Sequence, residues 1–330
     1  MPPILVFEDD ATVLASQPAF IDAGLTLAIV DRNGSLRCGK RSTTIDLAAP
    51  DAAWAGSALY RSGMLARFVE LVRDGPSVQF VQSVAAGYDR PELRALQHRR
   101  IPWCAGSHNS SAIAEYVLAE VLDHFQHGPA RRLAQVERRW APAPFREVAA
   151  SNWAIVGMGG IGQEIAKRAR AFDARILGIN SDGRPHALAD RTMTLEALRA
   201  APAGFDVIVL CAPLNPSTRH LVDAAFLAGL SPHTVLVNVG RGALVDEAAM
   251  RAALDGDQLS FAILDVFDRE PLPADSWLWC HPKVRATAHT AYFGEGGNRR
   301  AVDQLIDNVM RLRMGYPLRG AVSSTCLGIV

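Results

Sequence analysis

The chain has 330 residues, 34 Lys and Arg against 34 Asp and Glu, and a hydrophobic fraction of 49%. That length favours two domains, and the composition is that of a folded globular protein, not a disordered one. Zero formal net charge gives no sign of a nucleic-acid or membrane partner.

From the N-terminus, the segment from Pro3 to Asp10 lacks a basic start and reads as a first strand, not a signal peptide. Leu27 to Val30 is a short apolar run. Met64 to Val72 has helical spacing. Val78 to Val84 is β-rich and closes in the turn-prone Ala85-Ala86-Gly87-Tyr88-Asp89. Ser111 to Phe125 predicts a long amphipathic helix, with Ile113, Tyr116, Val117, Val121 and Leu122 on one side. Gly128 to Pro144 is basic and proline-containing, and reads as an exposed excursion.

A new unit then opens with the apolar strand Trp153 to Val156, which runs into Gly157. A helix is predicted from about Ile161 to Phe172. Strands follow at Arg175 to Ile179, Asp206 to Leu210, Thr234 to Val239 and Phe261 to Val266. These are continuous apolar runs, as expected of parallel strands covered on both faces. Helical stretches separate them, so the unit is a βαβ series. The last predicted helix is Asn298 to Arg313, and residues 323–330 read as a tail. No apolar run approaches the ~18 residues that span a bilayer. The scattered Cys38, Cys104, Cys211, Cys280 and Cys326 form no CxxC, so no metal site and no disulfide framework is expected. A reduced, cytoplasmic protein is the expectation.

Gly157-Met158-Gly159-Gly160-Ile161-Gly162 is a GxGxxG sequence between a strand and a helix, the context in which it binds a dinucleotide. The first glycine allows the tight turn, the second lets the backbone approach a pyrophosphate, and the third lets helix and strand pack closely. The helix N-terminus offers free N–H groups to the phosphates. Eighteen residues past Gly162 stands Asn180, where an acid would bind the ribose of NAD. Asn180 and Ser181 do not repel a 2′-phosphate and Arg184 could attract one, which favours NADP over NAD. Asp182 argues the other way if it points inward.

Arg241 lies just beyond the apolar strand from Thr234, Glu270 beyond the strand from Phe261, and His289 within Ala286-Thr287-Ala288-His289. A cation at the carboxyl end of a parallel strand borders the ligand crevice, and the arginine fork suits a carboxylate. An imidazole exchanges a proton, and a carboxylate orients and charges it. Singly, each residue is as compatible with a salt bridge, a solvated loop or a satisfied core.

Together with Pro213-Leu214-Asn215-Pro216-Ser217-Thr218, Asn238-Val239-Gly240-Arg241-Gly242 and Asp265-Val266-Phe267-Asp268-Arg269-Glu270, these motifs resemble the D-isomer-specific 2-hydroxyacid dehydrogenase family, over nearly the whole chain. The resemblance is to its glyoxylate/hydroxypyruvate reductase-like members. It implies an α/β protein of two Rossmann-like domains, with parallel sheets and helices on both faces. The NAD(P)-binding domain, 111–288, would be inserted into a discontinuous substrate domain, 1–110 and 289–330.

The resemblance also implies roles. Arg241, Glu270 and His289 would be catalytic, with Arg241 and His289 also touching substrate. The N–H groups of Ala86 and Gly87 would hold the substrate carboxylate. Besides the glycine loop and residues 180, 181 and 184, Cys211, Ala212, Pro213, Thr218, Val239, Gly240 and Asp265 would contact the cofactor. Asp265 would accept from the nicotinamide carboxamide. Ala85 and Ala288 depart from the family's usual glycine and proline. The family's formate dehydrogenases carry glutamine where Glu270 stands. Hydride transfer to a small, polar 2-keto acid is therefore expected. A dinucleotide-sensing corepressor and phosphite oxidation are the alternatives. A homodimer is implied, with Gly128 to Pro144 as an arm across the partner. Tyr60, Arg61, Met64, Tyr292 and Phe293 either border the site or pack.

Overall fold

The computed structural model describes residues 2–87 and 90–322. Tyr88, Asp89 and the expected tail 323–330 lie outside the described residues. The chain divides into two compact units, 1–109 with 295–330, and 110–294. The crossings at 109/110 and 294/295 differ by a few residues from the 110/111 and 288/289 of the sequence reading, and leave His289 in the second unit.

The first unit holds β1 (Ile4–Phe7), β2 (Leu27–Val30), β3 (Leu36–Cys38), β4 (Arg41–Thr43), β5 (Ala52–Ala55), β6 (Phe80–Ser83) and β7 (Trp103–Cys104). The second holds β8 (Asn152–Val156), β9 (Arg175–Ile179), β10 (Arg191–Met193), β11 (Val207–Leu210), β12 (Val235–Asn238), β13 (Phe261–Leu264) and β14 (Val284–Ala286). β15 (Ala321–Val322) belongs to the first. The first sheet runs β15-β7-β6-β5-β1-β2-β3-β4. It is parallel in its middle and antiparallel at both ends, where β3 and β4 form a hairpin on β2 and β15 pairs β7. At those edges the sheet departs from the parallel pairing of its middle. The connections between β2, β3 and β4 are too short for a crossover, which only antiparallel pairing tolerates.

The second sheet is parallel throughout, in the order β10-β9-β8-β11-β12-β13-β14. β8, β11, β12 and β13 are buried almost throughout, because helices cover both faces. Each Val, Leu or Ile so buried contributes ~1.5–3 kcal/mol. On one face the helix Ser110–Phe125 packs Ile113, Ala114, Val117 and Val121 into a core shared with Ile165, Ala166 and Ala169 of the helix Gly160–Arg170.

Register aligns the strand ends. Val156 pairs with Ile179 and Leu210, Leu210 with Asn238, Asn238 with Leu264, and Leu264 with Ala286. The next residue of each strand therefore lies on one rim: Gly157, Asn180, Cys211, Val239, Asp265 and Thr287. The chain goes from β8 to β9 on one side and returns to β11 on the other, so this rim contains the point where strand order reverses. Open α/β sheets bind ligands there.

The segment read as an excursion begins with a helix, Gly128–Val136. Pro129 sits in its first turn, where no backbone N–H is required, so it starts the helix instead of breaking it. The helix is exposed apart from Gly128 and Ala134, and the stretch after it has no regular structure, with Trp140 at 95% exposure.

Candidate active site

The glycine loop is built as its sequence implies, each glycine for a different reason. Gly157 has φ +104, and a Cβ there would lie 2.8 Å from the Ala212 nitrogen. A Cβ on Gly162 would lie 2.0 Å from the Gly157 carbonyl oxygen. Gly159 has no protein atom within 4 Å of its would-be Cβ. The protein does not require a glycine at 159, so its bare backbone is available to a close-lying ligand. Gly159 is also the N-cap of the helix Gly160–Arg170 and supplies no side-chain cap, which leaves the first-turn N–H groups of Gly160, Ile161 and Gly162 for an anion. Met158 turns inward instead, 8% exposed, into the core.

At the end of β9, the Asn180 Nδ2 donates to the Arg184 carbonyl at 2.8 Å, while its buried Oδ1 has no partner. A buried acceptor without a donor is costly and fits a ribose hydroxyl. Asp182 is tied to Arg184, by the Arg184 N–H at 3.2 Å and by Nε at 2.9 Å. It does not turn inward. Ser181 is exposed. These residues and the open glycine turn suit a dinucleotide.

Beyond β11, the Cys211 thiol donates to the Val156 and Gly157 carbonyls, and burial pushes its pKa up to about 12. Ala212 presses on Gly157. The Thr218 hydroxyl donates to the Pro213 carbonyl at 2.8 Å and accepts from the Asn215 N–H at 2.8 Å. Thr218 thus closes the 213–218 turn.

Arg241 is held by its strand. Buried Asn238 donates from Nδ2 to the Arg241 carbonyl at 2.9 Å and accepts the Gly240 N–H at 3.1 Å, fixing the turn through Val239. The Arg241 Nη1 donates to the Gly240 carbonyl at 2.8 Å. Gly242 follows, and its would-be Cβ lies 1.8 Å from the Phe267 carbonyl carbon and 2.1 Å from the Asp268 nitrogen. The Arg241 turn is therefore in backbone contact with the turn that carries Glu270.

Glu270 accepts the Phe267 N–H on Oε1 at 3.0 Å, and its Oε2 lies 2.8 Å from the His289 Nδ1. Burial, the largest single influence, raises the Glu270 pKa. The His289 and Phe267 hydrogen bonds and the His289 and Arg241 charges outweigh it, and the carboxyl is held below its usual value. A carboxylate depressed in the folded state stabilises the fold above the ordinary carboxylate range. That contribution is lost as pH falls through the folded value. Glu270 and His289 are half-buried, at 37% and 39%. Nδ1 faces the carboxylate, which leaves Nε2 as the atom to exchange a proton.

His289 adopts a left-handed backbone, φ +52, at a cost of about 1–3 kcal/mol for a side chain other than glycine. Asp265, 2% exposed, opposes that strain. Its Oδ1 accepts from the Thr287 hydroxyl at 2.6 Å and the Thr290 N–H at 2.8 Å, and its Oδ2 from the Ala291 N–H at 3.0 Å. A carboxylate has about four acceptor positions, so one is left for a nicotinamide carboxamide. The Tyr292 ring meets His289 edge-on at 5.6 Å between centroids.

Ala86 and Gly87 belong to the other unit. There the Ser83 hydroxyl accepts the Ala85 N–H at 2.8 Å and lies 2.7 Å from the Tyr60 hydroxyl. Tyr60 stands on the helix Ser57–Ser62, whose N-terminal N–H groups are capped by buried Asp10. Arg90 lies over the Tyr60 ring at 5.1 Å. Tyr60 thus supports the expected substrate turn. No role for Thr287, Asn238 or Gly242 is evident from the sequence pattern. A polar residue ending an apolar strand, as Asn238 does, was the available signal.

A Rossmann-type sheet with an imidazole–carboxylate pair at its ligand rim is the equipment of a nicotinamide-dependent dehydrogenase. The profile of the D-isomer specific 2-hydroxyacid dehydrogenase, NAD binding domain, matches residues 118–291, more than half of the chain. The (S)-sulfolactate dehydrogenase of Chromohalobacter salexigens is 31% identical over 73% of this chain and 80% of that protein. The glyoxylate/hydroxypyruvate reductase B of Yersinia pestis (strain Pestoides F) is 28% identical over 76% and 78%. Among solved structures, the D-isomer specific 2-hydroxyacid dehydrogenase from Xanthobacter autotrophicus Py2, in complex with NADPH and MES, superposes with a TM-score of 0.77 at 26% identity, over 99% of this chain and 100% of that one. The chain belongs to the D-isomer specific 2-hydroxyacid dehydrogenase family and is an NAD(P)-dependent oxidoreductase. Relatives of these names do not favour the corepressor or phosphite readings. Among the described residues, no helix is long and apolar enough to cross a membrane.

Proposed function

We propose that this protein reduces a small, polar 2-keto acid of the glyoxylate or hydroxypyruvate type, with Arg241, Glu270 and His289 as its catalytic residues. The observation that carries the reading is the 2.8 Å contact between the Glu270 carboxylate and the His289 Nδ1 on the ligand rim of the sheet. When bound, the nicotinamide supplies the hydride. Arg241 binds the substrate carboxylate and orients the keto carbon. The protonated His289 hydrogen-bonds the keto oxygen through Nε2 and releases its proton as negative charge develops there. Glu270 holds the ring and balances its charge. Turnover with glyoxylate, hydroxypyruvate and pyruvate tests the reading, and no oxidation of the reduced dinucleotide with any of them would refute it.

NADPH should serve at least as well as NADH. Asn180 carries no charge to repel a 2′-phosphate, and its unpartnered Oδ1 suits a ribose hydroxyl. The Xanthobacter relative is named with NADPH. Arg184 is 83% exposed and paired with Asp182, so it exerts only part of its charge on a phosphate. Asn180→Asp and Arg184→Ala should each shift the kcat/KM ratio toward NADH, and Asp182→Ala toward NADPH. A wild-type preference for NADH above about tenfold, ~1.4 kcal/mol, would contradict this.

The reading includes a cytoplasmic homodimer. Leu133, Val136 and Trp140 expose 54%, 80% and 95% of their surface within eight residues of sequence, an apolar set that water alone covers poorly. Sedimentation at micromolar concentration should give a dimer, and Val136→Asp should weaken it. A wild-type monomer would refute it.

A further inference from the structure

Tyr116 carries a hydroxyl that core packing does not need. It stands on the helix Ser110–Phe125, with its ring against the same buried cluster as Val117 and Val121. Packing alone would be served by phenylalanine. The hydroxyl lies 2.8 Å from the Thr287 Oγ1, which lies 2.6 Å from the Asp265 Oδ1. A carboxylate only accepts, so the single Thr287 proton goes to Asp265 and Thr287 accepts from Tyr116. The chain of donors therefore runs one way, from Tyr116 through Thr287 to Asp265.

Asp265 closes it by accepting the Thr290 and Ala291 N–H groups. Residues 287, 290 and 291 bracket His289, whose φ is +52 and whose Nδ1 must stay within hydrogen-bond reach of Glu270. Without the Tyr116 proton, Thr287 loses one of the two bonds that hold its hydroxyl, and the bracket loosens on the side that enters the histidine. Burial raises the Tyr116 pKa far above the usual phenol range, so the hydroxyl remains a donor at working pH. The other charges facing it are Asp265, Glu120 and Arg285, the last two paired at 3.6 Å.

We propose that Tyr116 is a positioning residue for proton transfer, acting through Thr287 and Asp265 to keep the His289 imidazole on Glu270. This rests on His289 being the proton donor, which His289→Ala tests separately. The experiment measures kcat, KM, dinucleotide affinity by fluorescence titration, and the pH profile of keto-acid reduction. Tyr116→Phe should lower kcat about tenfold, the scale of a slightly misplaced group. KM and dinucleotide affinity should change little, and the alkaline limb should move to lower pH. Thr287→Val should do the same, Thr287→Ser should restore the wild-type profile, and the double variant should be no worse than Thr287→Val. Wild-type kcat and pH profile in Tyr116→Phe, beside an inactive His289→Ala, would overturn the inference alone. A lower melting temperature with unchanged kinetics would overturn it too, since it would show a structural role only. An active His289→Ala would remove the proton donor and the inference with it.

Discussion

His289→Ala should lower keto-acid reduction by about 10²–10⁴ at neutral pH, with the melting temperature and dinucleotide affinity near wild type. The reason is that a hydride delivered to the keto carbon leaves charge on oxygen, and this imidazole is the acid placed to quench it. Half-exposed, it is not a core residue whose loss would collapse the fold. Reduction uses the protonated ring and hydroxy-acid oxidation the neutral one, so reduction should fail on the alkaline side while oxidation improves. Glu270→Gln removes the carboxylate 2.8 Å from Nδ1. The alkaline limb of reduction should then move to lower pH, because the charged ring loses its counter-charge. Rates measured in both directions across pH check this. Near-normal turnover in His289→Ala would dismiss the histidine, and unchanged profiles in Glu270→Gln would dismiss the pairing.

Gly242→Ala should be nearly as damaging, though residue 242 has no chemistry of its own. Its Cβ would fall 1.8 Å from the Phe267 carbonyl carbon, a backbone atom that cannot rotate away. The Arg241 turn and the Glu270 turn must separate by an ångström or more. Misplacement on that scale costs about 10²-fold in rate, and the overpacking itself ~1–3 kcal/mol of stability. The signature is a fall in kcat/KM, larger than that of a neighbouring surface substitution, with an unfolding midpoint lowered in urea. Wild-type kcat/KM in a folded Gly242→Ala would show that the two turns do not need to touch.

Much of the second unit was legible because its signals are local. Trp153 to Val156 running into Gly157 states strand, turn and helix within ten residues, and the apolar runs ending near Leu210, Asn238 and Leu264 fall where the strands lie. Arg241 and Glu270 were legible as candidates because each follows such a run, and His289 through the family resemblance. What holds them was not legible. Thr287 meets Tyr116 across 171 positions and Asp265 across 22, and no periodicity carries that distance. The crowding at Gly242 depends on two strand registers at once. In the first unit the antiparallel edges were missed because strands of three residues, such as Leu36–Cys38 and Arg41–Thr43, are too short to show alternation. The sequence does not decide between two orientations of Asp182, because its ion pair with Arg184 is a local contact that the spacing permits but does not require.

The sheet that carries the chemistry is apolar on both faces, and that has a consequence for how it finds its alignment during folding. Sliding β12 by one residue would exchange Val235 and Val237 for Leu236 between faces that both welcome them, so hydrophobic burial discriminates weakly between the true pairing and its neighbour. Asn238 and Asp265 discriminate strongly. Each is buried at a strand end, and each is satisfied by groups of one turn: the Gly240 and Arg241 backbone for the first, the Thr287 hydroxyl with the Thr290 and Ala291 N–H groups for the second. In a slipped sheet those groups would stay in the interior without partners, at about 1–3 kcal/mol apiece. The polar residues at the rim thus act as stops that lock the sliding of the strands, and the same locks that shape the catalytic turns select the one sheet in which those turns can meet.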